Sequence, residues 1–126
     1  MSIVLDASAL LAYLHQETGG AQVRASLGEA RMSSVNWSEV VQKALLRGAD
    51  IRGMREDLID LGLTVEHFTV WQAELAGRLA PQTRPLGLSL GDRACLALAL
   101  DLGFPVLTGD RIWAELKIEL DIRVIR

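Results

Sequence analysis

Four carboxylates in this chain stand where a fold can bring them together. Asp6 directly follows the apolar run Ile3-Val4-Leu5, Glu39 lies early in a helical stretch, Asp92 stands at a helix start, and Asp110 follows Pro105-Val106-Leu107. Like charges gathered at strand ends and helix starts repel one another unless a cation lies between them, and a hard divalent ion suits oxygen donors. The chain has no Cys-x-x-Cys and no paired histidines, so the donor set favours one or two Mg2+ or Mn2+ ions over zinc. Ions held in this way suit phosphodiester hydrolysis, because they lower the pKa of an attacking water and stabilise charge on the phosphorus and the leaving oxygen. Asp6, Glu39, Asp92 and Asp110 are thus candidate catalytic and metal-holding residues. Ser8, Asn36 and Thr108 lie beside them as a supporting shell. Arg93 and Arg111 each follow an acid, where they could meet substrate phosphate or serve only the surface.

Taken singly, each acid has a plainer explanation. Asp6 and Asp110 could be N-caps and Asp92 the partner of Ser89 in a capping box, since acids at helix starts satisfy free N–H groups and the helix dipole. Capping alone does not require all four to lie on elements converging at one sheet edge; metal binding does. His15 and His67 each lack a second ligand at metal spacing and read as ordinary boundary or surface histidines. Cys95, the one cysteine, lies in Ala94-Cys95-Leu96-Ala97-Leu98 and reads as a buried small apolar residue; no disulfide can form within one chain.

The elements that must position these residues can be read from periodicity. A strand at residues 3–5 leads into a helix over 8–14, a further helix covers 21–28, and 31–33 is extended. Ser34 or its neighbour caps a helix from Val35 to Leu46, and a second helix from Ile51 towards Gly62 completes a hairpin. Thr64-Val65 offers a short strand, residues 71–79 a helix, and the stretch through Pro81, Pro85 and Gly87 a loop. Ser89-Leu90-Gly91-Asp92 opens a helix apolar nearly all round, ending near Gly103. Strands at 105–107 and 122–125 flank a turn into a short helix at Gly109-Asp110-Arg111. Strands alternating with helices predict a three-layer α/β/α sandwich with a mostly parallel sheet, whose ligands bind at the carboxyl ends of strands.

The 126 residues read as one domain, without repeats, low-complexity segments or a linker. No run approaches the roughly 18 apolar residues of a membrane span, and Met1-Ser2-Ile3-Val4-Leu5-Asp6 lacks the basic leader of a secretory signal, which points to the cytoplasm. A net charge of −3 argues against a nucleic-acid partner, but two dications add four positive charges and bring the balance to +1. The basic residues are almost all arginine, whose planar fork suits phosphate.

At these residues the chain resembles the PIN-domain ribonucleases, and within them the VapC-type toxins of bacterial toxin–antitoxin pairs. The resemblance rests on Val4-Leu5-Asp6-Ala7-Ser8-Ala9-Leu10, Ser34-Val35-Asn36-Trp37-Ser38-Glu39-Val40, Leu88-Ser89-Leu90-Gly91-Asp92-Arg93-Ala94-Cys95 and Val106-Leu107-Thr108-Gly109-Asp110-Arg111, four motifs in order over nearly the whole length. It implies a compact α/β/α fold, a Mg2+- or Mn2+-dependent endoribonuclease, and metal-binding roles for Asp6, Glu39, Asp92 and Asp110, with Ser8 and Thr108 as accessory hydroxyls. It also implies a homodimer and a cognate antitoxin that covers the site, expected here on the hairpin from Val35 to Leu63. One departure is Ile112-Trp113, where related chains often carry a further acid. Two other readings compete. A haloacid dehalogenase-type phosphatase needs a second Asp two residues after the first, and here that position is Ser8. A PIN-like module that binds RNA or a partner without cutting keeps the acids for binding alone.

Overall fold

The computed structural model describes residues 2–126. In chain order its elements are β1 (Ile3–Leu5), α1 (Ala7–Leu14), α2 (Gly20–Ser26), β2 (Ala30–Ser33), α3 (Ser34–Leu46), α4 (Met54–Asp60), β3 (Thr64–Glu66), α5 (Val70–Arg78), α6 (Ala80–Thr83), α7 (Leu90–Leu102), β4 (Val106–Thr108) and β5 (Ile122–Val124). Single 3-10 turns lie at Leu27–Glu29, Arg84–Leu86 and Arg111–Glu115.

The strands form one parallel sheet in the order β3-β2-β1-β4-β5. From β1 the chain first winds outward through β2 and β3, then crosses to the other side of β1 to add β4 and β5. The strand order therefore reverses between β1 and β4, which opens a crevice at their carboxyl ends. Val4 pairs with Val106 and Leu5 with Leu107, so the residues that follow, Asp6 and Thr108, emerge side by side.

Alternation along these short strands separates two apolar layers. Ile3, Leu5 and Leu107 pack with Leu10, Val23, Val40 and Leu58 from α1 to α4. Val4 and Val106 face the other way, against Cys95, Leu96, Leu98 and Ala99 of α7 and the fully buried Trp113. A sheet covered on both faces is the expected α/β/α sandwich. Helix α7 is buried nearly all round because α5 packs outside it.

Two local expectations need correction. The second arm of the hairpin begins at Met54 and not at Ile51, because Gly53 sits at φ +76° and sets a left-handed turn before a helix of only seven residues. The stretch expected to be a loop up to Gly87 is instead helical, formed by α6 and a 3-10 turn. Pro81 falls at the start of α6, where a missing N–H breaks no helical bond. The short helix expected after Asp110 does form, as a 3-10 helix over Arg111–Glu115. Ser33 is the neighbour that caps α3, accepting from the Val35 N–H at 3.2 Å. Among the described residues no helix is long and apolar enough to cross a membrane.

Candidate active site

Asp6 is the innermost of the four acids. It ends β1 and caps α1, so its carboxylate is buried where sheet and helix meet. Its Oδ1 accepts from the Ala9 N–H at 2.8 Å and from the Ser8 hydroxyl at 2.8 Å, and its Oδ2 accepts from the Thr108 hydroxyl at 2.6 Å. Ser8 and Thr108 are braced in turn, for Ser8 Oγ accepts from the Gly109 N–H and Thr108 Oγ1 from the Asp110 N–H. Burial pushes the Asp6 carboxyl up from the ordinary 3.8 to about 6. The bonds from Thr108, Ala9 and Ser8 oppose that rise, and the charge of Asp92 adds to it.

Asp92 lies in the first turn of α7, where the expected capping box forms. Its Oδ2 accepts from the Ser89 N–H at 2.8 Å, while Ser89 Oγ accepts from the Asp92 N–H at 3.3 Å. Glu39 comes from α3, and its Oε1 accepts from Asn36 Nδ2 at 2.8 Å. The same amide donates to the Gly91 carbonyl oxygen at 2.9 Å, tying α3 to the first turn of α7. Asn36 is buried, and its Oδ1 has no hydrogen-bond partner among the described residues.

Glu39 therefore lies against the first turn of α7 that carries Asp92, whose charge is felt at Asp6. Cys95, buried further along α7, has its thiol pushed well up by burial and then by the charges of Asp6, Asp92 and Glu39. Asp110 stands further out. It is exposed, its Oδ1 caps the following turn by accepting from the Ile112 N–H at 3.1 Å, and it is linked to Asp6 through Thr108. Arg93 donates from Nη1 to the Ala76 carbonyl oxygen at 3.0 Å, tying α7 to α5, and Arg111 is exposed beside Gln16, Thr18 and Arg126. At the departure noted above, Trp113 points into the core and supplies nothing to the crevice.

Each acid thus does hold its own turn, but a carboxylate has two oxygens and about four lone-pair sites. Glu39, Asp92 and Asp110 each keep one oxygen without a hydrogen-bond partner among the described residues. No three His, Cys, Asp or Glu side chains among the described residues stand close enough to enclose an ion as they are. The chemistry of the donors fits a hard cation: all are oxygen, the charge of Asp92 bears on Asp6, and the buried Asn36 Oδ1 lacks a donor among the described residues.

Gly91 was not legible as a site residue. A Cβ there would lie 2.5–2.8 Å from the Glu39 carboxylate, so the absence of a side chain lets α7 approach α3. The available signal was a glycine, a poor helix former, inside the first turn of an otherwise strongly helical segment.

The class is that of a parallel α/β/α protein with a buried acid, Asp6, at the switch point of the sheet. Residues 3–119 match the PIN domain, and the chain belongs to that family. No curated protein matches it significantly by sequence. Among solved structures it is similar to a toxin–antitoxin complex from Klebsiella pneumoniae at 20% identity and a TM-score of 0.77, over 99% of this chain and 98% of that one. It is similar to DNA-bound VapBC from Salmonella typhimurium at 16% identity and a TM-score of 0.75, over 100% and 99%. It also resembles VapC20 of Mycobacterium tuberculosis, a toxin that cleaves the sarcin-ricin loop, at 18% identity and a TM-score of 0.69, over 95% and 99%. At these identities the likeness is one of fold.

Proposed function

We propose that this protein is a Mg2+- or Mn2+-dependent endoribonuclease acting as the toxin of a type II toxin–antitoxin pair. The observation that carries this reading is the bracing of acids from distant segments at the carboxyl end of the sheet, where Thr108 holds Asp6 and Asn36 ties Glu39 to the first turn of α7 that carries Asp92. Membership of the PIN domain family and the fold shared with toxin–antitoxin complexes support it.

Asp6, Glu39 and Asp92 would hold the ion, with Asp110 at the outer edge. A divalent ion bound there supplies Lewis-acid charge and lowers the pKa of a water. The chain's own part is to position those oxygens. Ser8, Thr108 and the Ala9 N–H fix the Asp6 carboxylate, Asn36 steers Glu39, and the capping box holds Asp92 at the mouth of α7. The antitoxin and a second copy of the chain belong to the same proposal. Leu45 and Leu46 on α3 with Ile59 and Leu61 at α4 are exposed on the hairpin where the antitoxin would lie.

The test is cleavage of structured RNA by the purified protein with Mg2+, analysed by mapping the ends produced. Cutting that is lost in EDTA and restored by Mg2+ or Mn2+ is the expected result, and cutting indifferent to EDTA would refute it. A binding module that does not cut is favoured by one fact, that each acid already serves its own turn; it predicts no metal-dependent product in the same assay.

Relief of repulsion by a bound ion should also register as stability. Millimolar Mg2+ or Mn2+ should raise the melting temperature of the wild type by a few degrees and that of Asp92→Asn by less, since asparagine keeps an oxygen for the Ser89 N–H but loses the charge. Equal shifts in thermal melts of the two proteins would count against a shared site.

A further inference from the structure

α1 and α3 border a groove of about 330 Å³ whose lining includes Ser8, His15, Lys43, Arg47 and Arg126, and Ser8 also donates to Asp6 of the acidic site. We propose that this groove is the substrate track. Lys43 and Arg47 hold backbone phosphates of a single-stranded RNA next to the bond being cut. The inference rests on the nuclease reading above and adds to it the residues that bind the strand.

The charges point this way. A chain of net charge −3 places three fixed cations here against one carboxylate, Glu17, which is already paired with Arg126 at 2.9 Å. Neither Lys43 nor Arg47 has a carboxylate partner among the described residues. Arg47 Nη1 lies instead 2.8 Å from His15 Nδ1. Arginine can only donate and the His15 ring carries no carboxylate, so the guanidinium is oriented here without an opposite charge. Its remaining N–H groups are left for an anion.

Continuity with the site selects the ligand. Arginine forks suit carboxylates as well as phosphates, but this groove is lined by Ser8, whose hydroxyl donates to Asp6 at 2.8 Å. Acids repel a phosphodiester, so a polyanion that reaches Asp6 must be held by positive charge on its approach, and Lys43 and Arg47 supply it in the groove that Ser8 lines. Leu46, 78% exposed, adds an apolar wall against which a sugar or base can rest.

The experiment measures binding of a fluorescent oligo(U) of about twelve nucleotides. The proteins are wild type, Lys43→Gln/Arg47→Gln, and a control, Arg84→Gln/Lys117→Gln, that removes the same charge from exposed positions elsewhere. EDTA is present so that the RNA stays intact. The groove variant should bind about tenfold or more weakly at low salt, with a plot of log affinity against log salt shallower by about 1.4 for two lost phosphate contacts. The control should keep most of both, and in cleavage assays the groove variant's loss should fall on KM. Affinity and slope equal to wild type in the groove variant overturn the proposal, as does equal loss in the control. If poly-glutamate binding is lost in the groove variant while oligo(U) binding is kept, the groove receives an acidic peptide and the proposal is again overturned. Because binding is read without metal, a protein that fails to cut yet shows the expected salt slope defeats the nuclease reading and leaves the groove standing.

Discussion

Replacing Asp6 with asparagine is expected to lower RNA cleavage by about 10³-fold or more while leaving the metal-free protein at least as stable as wild type at neutral pH. The two halves of this result have one cause. Burial lifts the Asp6 carboxyl from 3.8 to about 6, so the folded protein holds the proton more tightly than the unfolded chain does. Stability from this group is therefore full below pH 3.8, falls as pH rises towards about 6, and stays lowered above it, by about 3 kcal/mol in all. Asparagine cannot ionise and caps a helix as well as aspartate does, so the variant should lack that fall. The Thr108 and Ser8 hydroxyls can rotate to suit its amide. Denaturant melts across this pH window, paired with the cleavage assay, decide the matter. A variant that melts lower than wild type at neutral pH, with the same pH dependence, would show that Asp6 is only a cap. The active charge is one the fold bears at a cost, as functional sites commonly are.

Gly91→Ala should separate activity from stability in a different way. The new methyl group would meet the Glu39 carboxylate at 2.5–2.8 Å. That carboxylate ends a flexible side chain, so it can swing aside cheaply, and alanine is the better helix former by up to about 1 kcal/mol. The melting temperature should therefore be unchanged or slightly higher. Cleavage should fall about 10²-fold, because a displacement on the order of 1 Å at a catalytic group suffices for such a loss, and the Asn36 bridge to the Gly91 carbonyl is disturbed with it. Comparison of kcat for Gly91→Ala and wild type, with melts run in parallel, checks this. Full activity in the variant would remove Glu39 from the machinery, whereas a collapse of stability would show that the backbone and not the side chain had to move.

Both predictions concern residues whose local roles could be read in advance but whose encounter could not. The motif Ser89-Leu90-Gly91-Asp92 announces a capping box, and the box forms because its bonds span three residues within one helical turn. Asp6 as a cap and Ser33 at the head of α3 follow from the same short-range rule. The start of α4 after Gly53 and the helical turns around Pro81 escape that rule, because one glycine or proline changes a boundary without altering the apolar period on either side.

Alternating strands and helices with apolar strand runs determined, without any coordinates, that the sheet would be parallel and covered on both faces, and that the acids would fall at strand ends and helix starts. Only the tertiary structure decided that β4 lies against β1, so that Thr108 reaches Asp6, that Asn36 ties Glu39 to the first turn of α7 beside Asp92 while Asp110 stays exposed, and that Lys43 and Arg47 line a groove with Ser8. The division is physical. Caps, turns and periodic faces are set by hydrogen bonds over three or four residues, whereas the encounter of residues 6, 39, 92 and 108 depends on strand order and on how closely α7 packs against α3.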